Sequence, residues 1–240
     1  MKLLKPAAFF SSLMLALSVQ AETIYQTDFP DTIYTIPTDW SVVQGATGDE
    51  TTSGFRIDGG GDFRYDAASS NGLALYVGSV TAGYTTSALG DFTISSAIRK
   101  SSSGATGIVA RSNLAGDSFY TVRMFNSSAL QIYRFDSGSP TLLGQASFSG
   151  GNYVVGETWT VVASFEGNTI SAEVFNDSGA SAATLEVTDS TYSSGYVGVR
   201  GQITSLWEDF AVTSIPEPAT FAMILGVGGL GVAMVRRRRK

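Results

Sequence analysis

A chain of 240 residues with neither cysteine nor histidine and a net charge of −6 excludes much chemistry before any pattern is read. Without cysteine there is no disulfide, thiolate nucleophile or cysteine-bound metal; without histidine the usual base near neutral pH, the commonest zinc ligand and every Ser-His-Asp arrangement are missing too. Setting aside Lys2, Lys5, the five cations at the carboxyl end and Glu217 leaves eight basic and twenty acidic residues in the body, an anionic surface that makes nucleic acid an unsuitable partner.

The chain opens on Met1-Lys2-Leu3-Leu4-Lys5-Pro6, a short basic region, and continues with an apolar run from Ala7 to Val19. Val19-Gln20-Ala21 puts small residues where a signal peptidase needs them. Residues 1–21 are therefore predicted to be a signal peptide cleaved before Glu22. The run is short for a membrane span and has no stop-transfer flank.

Residues 22–214 form the body, large enough to hold itself together by a core alone. Its apolar residues alternate. Phe92, Ile94, Ser96 and Ile98 share one parity within their run, as do Tyr120, Val122 and Met124 in the next, Trp159, Val161, Ala163 and Phe165 in another, and Ile170, Ala172 and Val174 in a fourth. Period two over four to eight residues is the pattern of a half-buried strand. Turn formers separate the runs: Ser101 to Gly104, Asn113 to Asp117, Asn126 to Ser128, Asp136 to Pro140, Glu166 to Asn168 and Asn176 to Gly179. The spacing predicts strands near 23–28, 40–44, 54–58, 63–66, 73–77, 91–100, 106–112, 118–126, 129–135, 141–148, 158–166, 169–176, 182–188, 195–200 and 205–213, the last pairing with the first. The fold class is all-β, an antiparallel β-sandwich.

The body ends at Thr213-Ser214-Ile215-Pro216, where two prolines within three residues stop both helix and ladder pairing. Residues 215–240 then read as three parts: Pro216-Glu217-Pro218, an uncharged span from Ala219 to Val235, and Arg236-Arg237-Arg238-Arg239-Lys240. The span is predicted to be a minimal transmembrane helix, and the five cations its cytoplasmic end.

Several phrases of the body resemble a concanavalin A-like lectin/glucanase (laminin-G-like) jelly roll. They are Gly107 to Arg111, Phe119 to Arg123, Leu130 to Phe135, Trp159 to Phe165, Gly195 to Arg200 and Trp207 to Val212. The tail, with Pro216-Glu217-Pro218 before a glycine-rich span and an arginine cluster, resembles a PEP-CTERM sorting signal. That resemblance implies an exosortase-like processing enzyme as partner. It also implies an extracellular destination associated with polysaccharide or biofilm matrix.

A glycosidase needs two carboxyl groups about 5–10 Å apart. The Glu-x-Asp-x-x-Glu spacing usual on jelly-roll glucanases is absent, so the body is expected to be non-catalytic, with a glycoside hydrolase of the same fold as the alternative. Asp58, Asp62 and Asp66, around a glycine loop, are a candidate calcium site or else a solvated turn; no other cofactor is expected. Arg99, Arg111 and Arg123 come one per consecutive strand on the non-core parity. They are expected to form a row with Tyr133, either a platform for glycans or a solvated face paired with carboxylates. Trp40, Trp159 and Trp207 are core residues or sugar-stacking rings. The expected function is an exported surface or matrix protein whose body binds glycan or serves as structure.

Overall fold

Alternating apolar residues on short strands can bury only one face each, so the strands must form two sheets packed face to face. The computed structural model, which describes residues 21–29, 34–45, 48, 53–66 and 71–215, has this arrangement. The strands are β1 (Thr23–Thr27), β2 (Trp40–Gln44), β3 (Phe55–Ile57), β4 (Phe63–Tyr65), β5 (Gly72–Tyr76), β6 (Phe92–Lys100), β7 (Ala105–Ser112) and β8 (Phe119–Phe125). They continue with β9 (Ala129–Asp136), β10 (Ser139–Ser147), β11 (Thr158–Glu166), β12 (Thr169–Phe175), β13 (Ser181–Thr188), β14 (Tyr196–Gly201) and β15 (Ser205–Ser214). Each falls within two residues of its expected range. Residues 1–20 of the expected signal peptide, Pro216-Glu217-Pro218, the span 219–235 and the basic tail 236–240 lie outside the described residues.

One sheet runs β13-β12-β11-β6-β15-β4-β3, with β1 also paired to β15; the other runs β10-β9-β8-β7-β14-β5-β2. All pairings are antiparallel. The first and last strands of the body meet as expected, with Thr23 opposite Thr213 and Thr27 opposite Phe210. Residues 22–215 make up one compact unit.

The core lies between the sheets. From the eight-stranded sheet, Phe92, Ile94 and Ile98 of β6 and Trp159, Val161 and Phe165 of β11 point inward; Ile108, Tyr120, Val122 and Ile132 face them from the seven-stranded sheet. Trp40, Trp159 and Trp207 are 5%, 3% and 0% exposed. They are core residues, and the sugar-stacking alternative for them falls away. Trp40 packs against Phe63 at 5.0 Å and Phe210 at 5.1 Å, and Trp207 donates from Nε1 to the carbonyl of Gly107.

Gly107 sets the spacing of β7 and β8. A Cβ there would come within 2.0 Å of the Val122 carbonyl oxygen and 2.6 Å of Arg123 Cα, both backbone atoms that cannot rotate away. Gly107→Ala is therefore expected to prise the two strands apart. Overpacking of this kind costs about 1–3 kcal/mol, and a urea titration should show a lower midpoint at unchanged slope.

Candidate functional site

With one face of the seven-stranded sheet buried in the core, the opposite parity of each strand faces outward. The register aligns these residues into rows. Leu73 stands opposite Arg200, Arg200 opposite Gly107, Gly107 opposite Arg123, Arg123 opposite Gln131, and Gln131 opposite Gln145. The next row holds Leu75, Gly198, Val109, Thr121, Tyr133 and Leu142. Leu73, Leu75, Val109, Phe119 and Phe135 form a second apolar cluster here, with Val43, Tyr133 and Tyr196 packed against it.

Two guanidiniums sit among these rings. That of Arg123 lies 4.1 Å from the Tyr133 ring centre and 5.4 Å from that of Phe125. Its Nε and Nη2 donate to Gln131 Oε1 at 3.1 and 3.0 Å, and Gln131 Nε2 donates onward to Gln145 Oε1 at 2.6 Å. Arg200 lies over Phe135 at 4.6 Å and Phe119 at 5.9 Å, two rings themselves stacked at 4.6 Å. Burial lowers the pKa of both arginines. That of Arg200 is pushed down to about 10, by burial first and then by the charge of Arg123, so both are cations at neutral pH. Gln145 and Leu142 are the exposed members at the β10 end. A flat guanidinium lying on a ring, with amides beside it, offers stacking surface and forked donors together.

The structure thus brings together two of the four candidate residues, Arg123 and Tyr133, and separates the other two from them. The expected row of Arg99, Arg111 and Arg123 does not form, because β6 belongs to the other sheet. There Arg99 reaches Asp62 at 2.5 Å and Glu208 at 3.5 Å. Arg111 shares a sheet with Arg123 but is 1% exposed. It donates to the carbonyls of Gly90, Gly167 and Tyr192 and pairs with Asp91 at 3.2 Å, so it is a clamp. Arg200 and Gln131 are members of the face that the sequence pattern alone did not single out. Parity could have found Arg200, which shares its side of β14 with Tyr196 and Gly198 against the core residues Val197 and Val199.

The carboxylates of the glycine loop have arginine partners. Asp66 bonds Arg56 and Arg64; burial works to raise its pKa, but those hydrogen bonds outweigh burial and hold it low. Asp62 bonds Arg99, and its pKa is raised by burial and then by Asp58. Asp58 accepts from the Gly60 amide at 2.8 Å and the Asp62 amide at 3.2 Å, closing its own turn. Among the described residues no group of three or more acidic side chains is placed to hold a metal ion.

The outer face of the eight-stranded sheet has an open hollow of about 400 Å³, lined by Val162, Ser164, Ser171, Glu173, Thr184 and Glu186 among others. Glu173 stands opposite Thr184 and Ser171 opposite Glu186, so the two glutamates are diagonal neighbours across β12 and β13.

Residues 214–239 match the PEP-CTERM protein-sorting motif. No curated protein sequence matches the chain. Among solved structures, the carbohydrate-binding module CBM66 from Bacillus subtilis is similar at 16% identity and a TM-score of 0.57, over 78% of this chain and 99% of that one. Winged bean acidic lectin, solved with methyl-α-D-galactose, is similar at 12% identity and a TM-score of 0.55, over 82% of this chain and all of that one. A Bacillus licheniformis GH43 protein is similar at 12% identity and a TM-score of 0.52, over 79% of this chain but only 39% of that one. At these identities the likeness is one of fold: a lectin-like jelly-roll sandwich.

Proposed function

We propose that this chain is an exported, non-catalytic glycan-binding protein, delivered to the cell surface or extracellular matrix by its two ends. The observation that carries the reading is Arg123 lying on Tyr133 and bonded to the Gln131–Gln145 amide pair, on the outer face of the seven-stranded sheet. That face combines stacking surface with directed donors, the two things sugar rings and their hydroxyls need. The carbohydrate-binding and lectin neighbours support it by fold. The reading calls for no cofactor, since Asp58, Asp62 and Asp66 already face arginines.

The sorting motif supplies the route. The signal peptide exports the body, the span 219–235 halts transfer, and Arg236 to Lys240 stay in the cytoplasm. An exosortase-like enzyme then acts at Pro216-Glu217-Pro218, releasing the body toward extracellular polysaccharide, the matrix of a biofilm. On a glycan array the body, residues 22–214, is expected to bind, and Arg123→Ala to weaken binding by about tenfold, the effect of losing one charge-assisted pair. An inert array would defeat the binding reading. For the route, mass spectrometry of surface protein should find the chain shortened at its carboxyl end; intact protein ending in Lys240 would defeat it.

A glycoside hydrolase on the same fold is the second reading, favoured by one feature, the hollow that holds Glu173 and Glu186. Diagonal neighbours on adjacent strands lie about 7–8 Å apart, inside the roughly 5–10 Å that paired glycosidase carboxylates require. Reducing-sugar release from a polysaccharide, abolished by Glu173→Gln, would establish it over the first.

A further inference from the structure

The body has eight cations and twenty acids, so a carboxylate partner is the default for every arginine. Five follow it: Arg56 with Asp66, Arg64 with Asp66 and Asp58, Arg99 with Asp62 and Glu208, Arg111 with Asp91, and Arg134 with Asp136 and Asp189. Lys100 bonds the carbonyl of Asn126. Among the described residues, Arg123 and Arg200 have no carboxylate within ion-pair distance, and both stand on the same outer face. Arg200 is 5% exposed, and its Nε has no hydrogen-bond partner among the described residues.

An arginine held low among rings without a counter-charge is costly, because its hydration is lost and no carboxylate replaces it. A fold that keeps two of them on one face, while pairing the rest, has left room for an anion from outside. The register supports this. Arg200 and Arg123 flank Gly107 on one cross-strand row, their backbones about 10 Å apart at two strand spacings, and the residue between them on that row has no side chain. The half-buried rings of Tyr133 and Tyr196 lie on the same face.

We infer that this face binds an acidic polysaccharide, one whose sugars carry carboxylate groups, with Arg123 and Arg200 as the anion-binding pair and Tyr133 and Tyr196 as the stacking surface. The inference rests on the glycan-binding reading of the same face and adds its charge class. It also accounts for an anionic protein binding an anionic polymer: overall charge repels, but the two guanidiniums make forked, short-range contacts that a carboxylate fits.

The test uses the full-length chain purified in detergent, with three probes: polygalacturonate, the same polymer fully methyl-esterified, and polyglutamate. Polygalacturonate is expected to bind, and esterification to weaken binding by about tenfold or more, since it removes the charge and keeps the sugar. Arg123→Gln and Arg200→Gln are each expected to weaken polygalacturonate binding to a similar degree. Arg200→Gln should melt no lower than the wild type, because it removes a buried charge that no carboxylate among the described residues pairs. Should a variant fail to fold, the acid–ester comparison on the wild type still decides. Equal binding of acid and ester would overturn the charge class and leave the glycan reading standing; binding of neither would overturn both. Polyglutamate binding as tightly as polygalacturonate would reduce the face to a general anion site. Acid-selective binding untouched by both variants would overturn its placement.

Discussion

Replacing Arg111 by leucine is expected to cost the body roughly 3 kcal/mol of stability, the scale for breaking a buried, hydrogen-bonded charge. Its side chain spans the gap between the sheets. From β7 of the seven-stranded sheet it bonds Gly90 just before β6, Gly167 in the β11–β12 turn, and Tyr192 in the loop before β14. Asp91, its ion-pair partner, also accepts from the Gly167 amide at 2.9 Å, so the carboxylate and the guanidinium brace the same turn. Burial lowers the Arg111 pKa, with Asp91 and Tyr120 acting the other way. The backbone at Arg111 has φ +50°, a left-handed conformation that costs a side-chain-bearing residue about 1 kcal/mol and persists only where contacts repay it. Leucine would keep the strain and lose every bond. Lysine, with a point charge where a fork is needed, should recover only part. Urea unfolding of residues 22–214 should show the loss, and glycan binding by the folded fraction should be unchanged. A loss under about 1 kcal/mol would mean the clamp is ornamental to the fold.

Arg111 also shows where sequence logic stops. Alternation gave the strands and their faces because parity is a local property of an extended chain. It cannot say which sheet a strand joins. Residues 101–104 between β6 and β7 suit a hairpin as well as a crossing, and the chain crosses, which puts Arg99 and Arg111 in different sheets. Parity itself then fails within β7. Tyr196 and Gly198 of β14 stand opposite Ser112 and Val109, so β7 carries one extra residue, and this bulge, with its left-handed Arg111, takes that side chain off the outer face. No residue type announces it.

The outer face was more legible. Tyr133 and Arg123 meet as diagonal neighbours because Arg123 pairs with Gln131 and Thr121 with Tyr133 in a regular register. Arg200 was present in the same pattern, one strand beyond Gly107. Its lack of an acid is a three-dimensional fact: twenty acids in the sequence leave no hint that none of those described stands within ion-pair distance of it. The carboxylates around the glycine loop are the converse case. In sequence they looked available to a cation, and in the fold arginines from β3, β4 and β6 fill that role.

The second large effect is a rise in stability at alkaline pH, and it comes from Lys100. This residue ends β6 with 0% exposure; its ammonium bonds the Asn126 carbonyl and lies 4.7 Å from the centre of the Tyr153 ring. Burial lowers its pKa to about 8 from an ordinary 10.5. Between those values the unfolded chain holds a proton that the folded chain has released. Stability therefore rises with pH across this window, and the penalty is fully present below pH 8. From pH 7 to pH 10 the contribution of Lys100 is roughly 2–3 kcal/mol, since one proton contributes roughly 1.4 kcal/mol for every pH step between the two values and pH 10 stops short of the upper one. From about pH 9 upward the trend is increasingly opposed. Burial pushes Tyr76 and Tyr120 up to about 12, so the unfolded chain ionises its phenols first and folding loses ground. The urea midpoint of residues 22–214 should accordingly climb from pH 7 to about pH 9. Lys100→Met should flatten that climb by removing the group whose folded and unfolded values bracket the window. It should also raise stability at pH 7, since an ammonium buried against one carbonyl and a ring is replaced by a side chain with no charge to desolvate. A climb that survives in the methionine variant would assign the effect to another group.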